Sequence, residues 1–371
     1  MHTMHSTLLV GPYDWEPADV PKAAFDARIA ALWRELPADI AGVAVHGDRR
    51  SSAELAYLTG FIPKMGDALA LIPRSGEARL YVAGAANMMP PAARQTWIRK
   101  IEPLSEPGKL LAQWKSDLRG YMVMLGGENL RLALKRGVDE ALGGEAASKR
   151  AAAALHGLMR VKGADELRAV RRACAMLGAV SRALAAAHAA GRGATDALIE
   201  AEHEGHRMGA QDVRSLFSLD GGRTLRPFYT PVREAADPLQ VYLAVRHAGY
   251  WAEGHVSLSR APGPAAAKAR AALQGLIDAA RPGAKCADLA RALKDAIGPS
   301  AAHPVTGGSA GHGIGLALEE EPRLSAGSGA LAAGDVLSLR AGVSGDAGHA
   351  IVSAMVAITA EGSEVLWSGA A

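Results

Sequence analysis

Cysteine is nearly absent from this chain: Cys174 and Cys286 are the only two in 371 residues, far apart and outside any CxxC-type pair. That excludes a disulfide framework and a cysteine-built metal site, and both thiols read as small buried hydrophobes. Aromatic residues are also scarce, at 5%, so helix contacts are expected to be close and lined by alanine. No apolar run approaches the ~18 residues that a membrane span needs. Residues 1–17 lack the basic start and long apolar core of a secretory signal. The expectation is a cytoplasmic protein without a membrane partner. Neither sign of charge dominates: a net charge of +3 and no long Lys/Arg run give no electrostatic footprint for nucleic acid. What is present is a globular composition, 49% hydrophobic and 21% charged, in a chain long enough for two domains.

Apolar periodicity predicts a helix over 22–36, with Phe25, Ile29, Leu32, Trp33 and Leu36 on one face. Further helices are predicted over 52–58, 90–97 and 107–118, and strands over 40–47, 68–73, 78–82 and 130–134. This alternation implies an α/β N-terminal domain, residues 1–155. A strongly helical stretch, 145–188, breaks near Lys162-Gly163, with Asp165 as N-cap of a helix beginning at Glu166. A helix over 195–205 is capped by Thr195 or Asp196. The basic residues here read as a solvated face, with subunit or ligand contacts as the alternative. Strands are then predicted over 213–219, 239–245 and 250–258, helices over 264–280 and 287–297, a hairpin from 336–339 and 351–358, and a last strand over 364–367. That order implies an α+β domain on antiparallel sheet, residues 156–371.

One stretch stands out: Gly311-His312-Gly313-Ile314-Gly315-Leu316, followed by Glu319-Glu320-Glu321-Pro322. Glycines on both sides of a lone histidine imply close backbone approach or positive φ there. Other segments line up with it in order: Tyr57-Leu58-Thr59-Gly60-Phe61, Ala68 to Pro73, Met159-Arg160-Val161-Lys162, Arg281-Pro282-Gly283, Leu331 to Asp335, and Ile358 to Gly362. Together they resemble the creatinase / aminopeptidase P / Xaa-Pro dipeptidase family over nearly the whole chain. The resemblance implies a creatinase-like N-terminal domain, a pita-bread C-terminal domain, a homodimer and a small-molecule substrate, with Xaa-Pro bond hydrolysis as the default label.

The resemblance also implies two metal ions held by two Asp, one His and two Glu. The matching positions here are Tyr242, Glu253, His312, Arg340 and Ser353. Only His312 is unchanged, and Glu253 is a conservative replacement. An arginine brings a cation that cannot deprotonate to the metal's place, so a two-metal hydrolase is not expected, nor is any other cofactor. The family's substrate histidines fall at Phe228 and Glu319. Creatinase, the metal-free member, uses a His and two Glu, which match Phe228, Glu253 and Arg340.

Taken by themselves, Glu253 and His255 stand two apart on a predicted strand and share a face. With His312 they form a Glu-His-His group, with Arg340 and Tyr242 beside it. Three readings stay open. In the first, a metal-free site uses Glu253, His255 and His312 for acid–base work on a C–N bond; Arg340 takes a substrate carboxylate, and Tyr242, Phe228, Tyr229 and Glu319 line the pocket. In the second, Glu253 and the two histidines hold a single metal ion. In the third, the site is silent and the fold serves as a ligand-binding or interaction module. Blander readings stand beside them: His312 as a backbone-bonding histidine, Arg340 paired with Glu253 or a glutamate of 319–321, and those glutamates as an exposed charge run. Residues 46–50 read as a surface loop, Lys64 and Asp67 as weak candidates to close a neighbouring subunit's site, and Arg214, Arg223 and Arg226 as a solvated loop, with an anionic or guanidinium-binding role as the alternative.

Overall fold

A computed structural model describes the chain except residues 1–13, 119, 128–129, 131–134, 137, 139–141, 143–144, 221–222, 228–230, 299–302, 325–328, 347 and 371. The predicted strand over 130–134 thus lies almost wholly outside the described residues. The chain divides into two compact units, Met1–Met159 and Arg160–Ala371.

The first unit is built on a mixed sheet in the order β4-β3-β2-β1-β5, formed by β1 (Ile40–Asp48), β2 (Asp67–Pro73), β3 (Arg79–Val82), β4 (Lys100–Pro103) and β5 (Tyr121–Leu125). β2 is buried along its whole length, as an apolar run covered on both faces should be. Helix Lys22–Glu35 buries Phe25 and Leu32, and helix Pro107–Leu118 buries Leu111 and Trp114. The helix expected over 90–97 shortens to Met89–Ala93 after a 3-10 turn. β4 escapes a hydrophobicity reading because it is a largely exposed edge strand. His46 is not in a surface loop: it lies in β1, buried, with Nε2 3.0 Å from Asp67 Oδ1 and Nδ1 3.2 Å from the Gly126 carbonyl. Asp67 is buried in that pair, whereas Lys64 is exposed.

The second unit opens with the helices Ala164–Ala189 and Ala194–Arg207. Their N-caps are Gly163 and Gly193, not Asp165, Thr195 or Asp196. At the first start Glu166 accepts the Gly163 N–H at 3.0 Å through Oε2, so a glutamate inside the first turn satisfies an otherwise orphaned donor. An antiparallel sheet follows, β6 (Asp212–Ser218), β7 (Leu239–His247) and β8 (Tyr250–Leu258), and then a second in the order β10-β9-β11-β12-β13. Its strands are β9 (Gly311–Gly313), β10 (Glu320–Arg323), β11 (Val336–Gly345), β12 (Gly348–Ile358) and β13 (Ser363–Ser368). Helices Pro264–Ala279 and Cys286–Ile297 pack on β11 and β12 through Ala265, Ala269, Ala272, Leu273, Leu289 and Leu293. This is the close, alanine-lined packing that the shortage of aromatics implies.

The two sheets meet where β8 reaches β12. The His255 N–H donates to Ser353 Oγ at 2.6 Å, and Ser257 Oγ donates to the Ile351 carbonyl at 2.9 Å while accepting its N–H at 3.0 Å. Gly254 allows Trp367 of β13 to lie against β8, since a Cβ at 254 would stand 1.9 Å from the indole. Among the described residues no helix is long and apolar enough to cross a membrane.

Candidate active site

β7 and β8 form a hairpin that turns through Ala248 and Gly249, both at positive φ. Its register places Tyr242 opposite His255 and Ala244 opposite Glu253. The start of β8 is pinned twice: the Tyr250 hydroxyl donates to Glu166 Oε1 at 2.9 Å, and the Trp251 N–H donates to the Gly315 carbonyl at 2.8 Å. Tyr242 and Glu253 are therefore diagonal neighbours on one face, and the phenol donates to Glu253 Oε2 at 2.5 Å.

His312 arrives on β9, held between β10 and β11 with Arg323 and Ser338 as its cross-strand partners. Its flanking glycines answer to those two strands. A Cβ at Gly311, where φ is +137°, would meet the Ser338 carbonyl at 2.0 Å, and one at Gly313 would meet the Glu321 carbonyl at 2.2 Å. The His312 Nδ1–H donates to the Gly313 carbonyl at 3.0 Å, and Nε2 lies 3.2 Å from Glu253 Oε1. With Nδ1 committed as a donor, a bond from Nε2 to a carboxylate needs a second proton, so the contact is that of an imidazolium with a carboxylate. Burial opposes both charges. For His312 the bond to Glu253, its charge and the Gly313 carbonyl outweigh burial and raise the pKa. For Glu253 burial pushes up, and the His312 bond and charge with the Tyr242 hydroxyl win, lowering it.

His255 joins the cluster by a different route. It is buried, its ring centroid 5.1 Å from that of Tyr242 with the planes at 50°, and its Nδ1 has no hydrogen-bond partner. Burial above all, with Arg340, His303 and His312 adding to it and Glu253 opposing, pushes its pKa down to about 3. It is a neutral imidazole, and Glu253 orients His312 instead. Arg340 stands on β11 opposite Ser353, its N–H bonded to the Ala310 carbonyl at 3.0 Å. Its side chain makes no ion pair among the described residues, and its buried Nε has no partner. Its positive charge is felt at Tyr242, His255 and His312.

Tyr242, Glu253, His255, His312 and Arg340 are thus brought together. Glu319 is not: it is exposed and paired with Arg323 at 2.9 Å. Glu320 pairs with Lys162 at 2.6 Å and Glu321 with Arg323 at 3.6 Å, so none of these glutamates neutralises Arg340. Phe228 and Tyr229 lie outside the described residues. Arg214 pairs with Asp212 and stacks on Trp251, and its positive charge is also felt at Tyr242. A residue that sequence reasoning missed is His303, fully buried with Nε2 unpartnered. Its only forewarning is Gly342, two residues after Arg340, whose missing side chain leaves room for it.

The donors present do not fit the metal pair that the resemblance implies. Glu253 is committed to Tyr242 and His312, Ser353 Oγ accepts the His255 N–H, and Arg340 brings a cation to the same place. Among the described residues no three His, Cys, Asp or Glu side chains are grouped so as to hold a metal ion, which leaves the Glu-His-His single-metal arrangement without support.

Comparison with curated proteins finds no match. Several solved structures are similar over almost the whole chain. An X-Pro aminopeptidase from Thermotoga maritima superposes with a TM-score of 0.73 at 16% identity, covering 92% of this chain and 97% of its own. The dipeptidase PepE from Mycobacterium ulcerans gives 0.70 at 20% identity, covering 93% and 96%. Aminopeptidase P from E. coli gives 0.67 at 16% identity, covering 93% and 94%. At these identities they show the fold, which is the α/β unit followed by the pita-bread unit that the motifs imply. The model of one family, described as metallopeptidase family M24, matches residues 168–360. That span is more than half of the chain, and the chain belongs to metallopeptidase family M24, a family of hydrolases.

Proposed function

We propose that this protein is a metal-independent hydrolase acting on a C–N bond of a small substrate that carries an anionic group. The observation that carries this reading is the buried Glu253–His312 ion pair, capped by Tyr242, beside an arginine with no carboxylate partner among the described residues. Hydrolysis needs a group that takes a proton from water and returns it to the leaving nitrogen. Glu253 is ionised at neutral pH, and each of its oxygens keeps a lone pair beyond the bonds to Tyr242 and His312. Water gives one proton to Glu253 and its oxygen to the acyl carbon; the C–N bond then breaks, and the proton passes to the departing nitrogen. The His312 imidazolium and the Tyr242 hydroxyl hold the carboxylate and stabilise negative charge developing next to them. Arg340 holds the substrate's anionic group. The same reading takes the protein as a cytoplasmic homodimer, and sedimentation tests the dimer.

One observation favours a second reading, a binding module without turnover: both oxygens of the carboxylate are already engaged, by Tyr242 and by His312. The two are separated by assaying chelator-treated protein against N-acyl amino acids, amidines and dipeptides. The proposal expects turnover that survives the chelator and falls at least a hundredfold in Glu253→Gln. Turnover that tracks added metal overturns it, and ligand binding without any turnover selects the module.

A further inference from the structure

The polar layer around the Glu253–His312 pair contains buried nitrogens that no described residue satisfies. We propose that His303 and Arg340, brought to one face of β11 by Gly342, form a subsite that receives a carboxylate of the substrate.

The geometry starts from the strand. Arg340 and Gly342 stand two apart on β11 and share a face. A Cβ at Gly342 would lie 2.5 Å from His303 Cβ, 3.2 Å from its Cγ and 3.1 Å from Thr306 Oγ1. The absent side chain is therefore what admits the imidazole onto the face of β11 that also carries Arg340. The protonation state of His303 follows from its neighbours. The Val305 N–H donates to His303 Nδ1 at 3.3 Å, so Nδ1 is the acceptor and the proton of the neutral ring sits on Nε2. Burial, with His349 adding, pushes this histidine down to about 4, in keeping with a neutral ring. Nε2–H is then a fully buried donor without an acceptor, and the Arg340 Nε–H is a second. His255 adds a third unpaired ring nitrogen from the strand facing Ser353, the residue opposite Arg340.

Orphaned buried donors are costly and normally absent, and two on one face call for an acceptor that the described residues do not supply. Nearby carboxylates are already engaged. Glu253 serves Tyr242 and His312; Asp220 accepts the Ser218 hydroxyl at 2.7 Å, the Thr224 N–H at 3.0 Å and the Thr224 hydroxyl at 2.7 Å. His349 is bonded to Ser344 at 2.6 Å. Glu253 and His312 cancel, Asp220 adds a negative charge that reaches His303, and Arg340 supplies the positive charge that an anionic acceptor would meet. A carboxylate offers the two oxygens that two N–H donors require. This assignment rests on the proposed function only in calling the ligand a substrate; the experiment reads binding alone.

Calorimetric titration of the full chain with N-acetylglycine, against its neutral counterpart N-methylacetamide, tests it. The expected result is saturable binding of the anion, weakened about tenfold or more in His303→Leu and Arg340→Gln. Gly342→Ala, which displaces His303, should behave likewise, and Glu253→Gln should bind the anion as the wild type does even where turnover is lost. No saturable binding, equal affinity for the neutral compound, or His303→Leu binding as wild type overturns the subsite. Should the variants fail to fold, imidazole NMR of the wild type decides. The His303 Nε2–H signal should move on adding N-acetylglycine, and a signal that stays fixed assigns that donor to water and removes the proposal.

Discussion

Glu253→Ala and Glu253→Gln should differ sharply in stability and in its pH dependence. Both side chains of the Glu253–His312 pair are 7% exposed, so solvent screens the pair little. Removing the carboxylate to alanine leaves the His312 charge and the Tyr242 hydroxyl without an acceptor, a loss of about 3–5 kcal/mol. Glutamine keeps an acceptor for Tyr242 and offers an N–H to a neutral His312, so its cost should be about 1–2 kcal/mol. The pH dependence separates the two roles. His312 is raised above its ordinary 6.5, so its contribution is whole below 6.5 and fades as pH rises through the folded value. Glu253 is lowered below its ordinary 4.5, so its contribution is present above 4.5 and fades as pH falls through the folded value. His255 and His303, depressed to about 3 and about 4, destabilise only on the acid side of 6.5. Between pH 6.5 and about 8, below the range where the burial-raised thiols of Cys174 and Cys286 begin to weigh, the alkaline limb isolates the pair. Urea unfolding at pH 6, 7 and 8, read by hydrogen exchange of residues 250–258, should show wild-type stability falling as the pH rises and Glu253→Gln nearly flat. A Glu253→Gln protein that keeps the full alkaline fall, or a Glu253→Ala protein that loses under about 1 kcal/mol, refutes the ion-pair assignment.

Arg340→Gln should leave the melting temperature within about 2 °C of wild type, or raise it, because the guanidinium has no partner to lose among the described residues; a large drop in a thermal scan would mean that it holds the fold instead. Gly254→Ala should destabilise by more than the 1–3 kcal/mol typical of overpacking, since its Cβ would enter the Trp367 ring at 1.9 Å; an unchanged denaturation midpoint counts against that packing. Lys162→Ala should cost about 3–5 kcal/mol, because it strands Glu320 in a pair with side chains only 3% and 11% exposed; Lys162→Ala with Glu320→Gln should recover part of that loss in the same assay.

Most of what places the site was legible in local pattern. The strand period aligned Glu253 with His255, and the glycines beside His312 marked strands pressing on both sides of it. Which histidine Glu253 would take was not legible, because that depends on β9 reaching across from another sheet. Local spacing left His255 and His312 both open, but residues on one strand face stand side by side rather than tip to tip, and His312 Nε2 reaches the carboxylate at 3.2 Å. Glu319 was misplaced because a family position says nothing of the surface salt bridge with Arg323 that draws it outward. His303 has no periodic neighbour to announce it. Its meaning comes from a void at Gly342 that only tertiary packing creates. The N-caps were misread because side-chain chemistry pointed to Asp165, Thr195 and Asp196, whereas the extended backbone at Gly163 and Gly193 sets the helix starts.

The seating of Trp367 on Gly254 also has a consequence for biosynthesis. β8 carries Glu253 and His255, yet its rear face is covered by an indole more than a hundred residues later in the chain. Gly369 lies against the same strand, where a Cβ would come within 2.3 Å of the His255 carbonyl. The hairpin of β7 and β8 leaves the ribosome long before its backing does. During translation β6 and the helix Ala164–Ala189 can already hold it, but the groove at Gly254 stays open, and the geometry around Glu253 becomes final only once residues 363–369 have emerged and β13 has paired with β12.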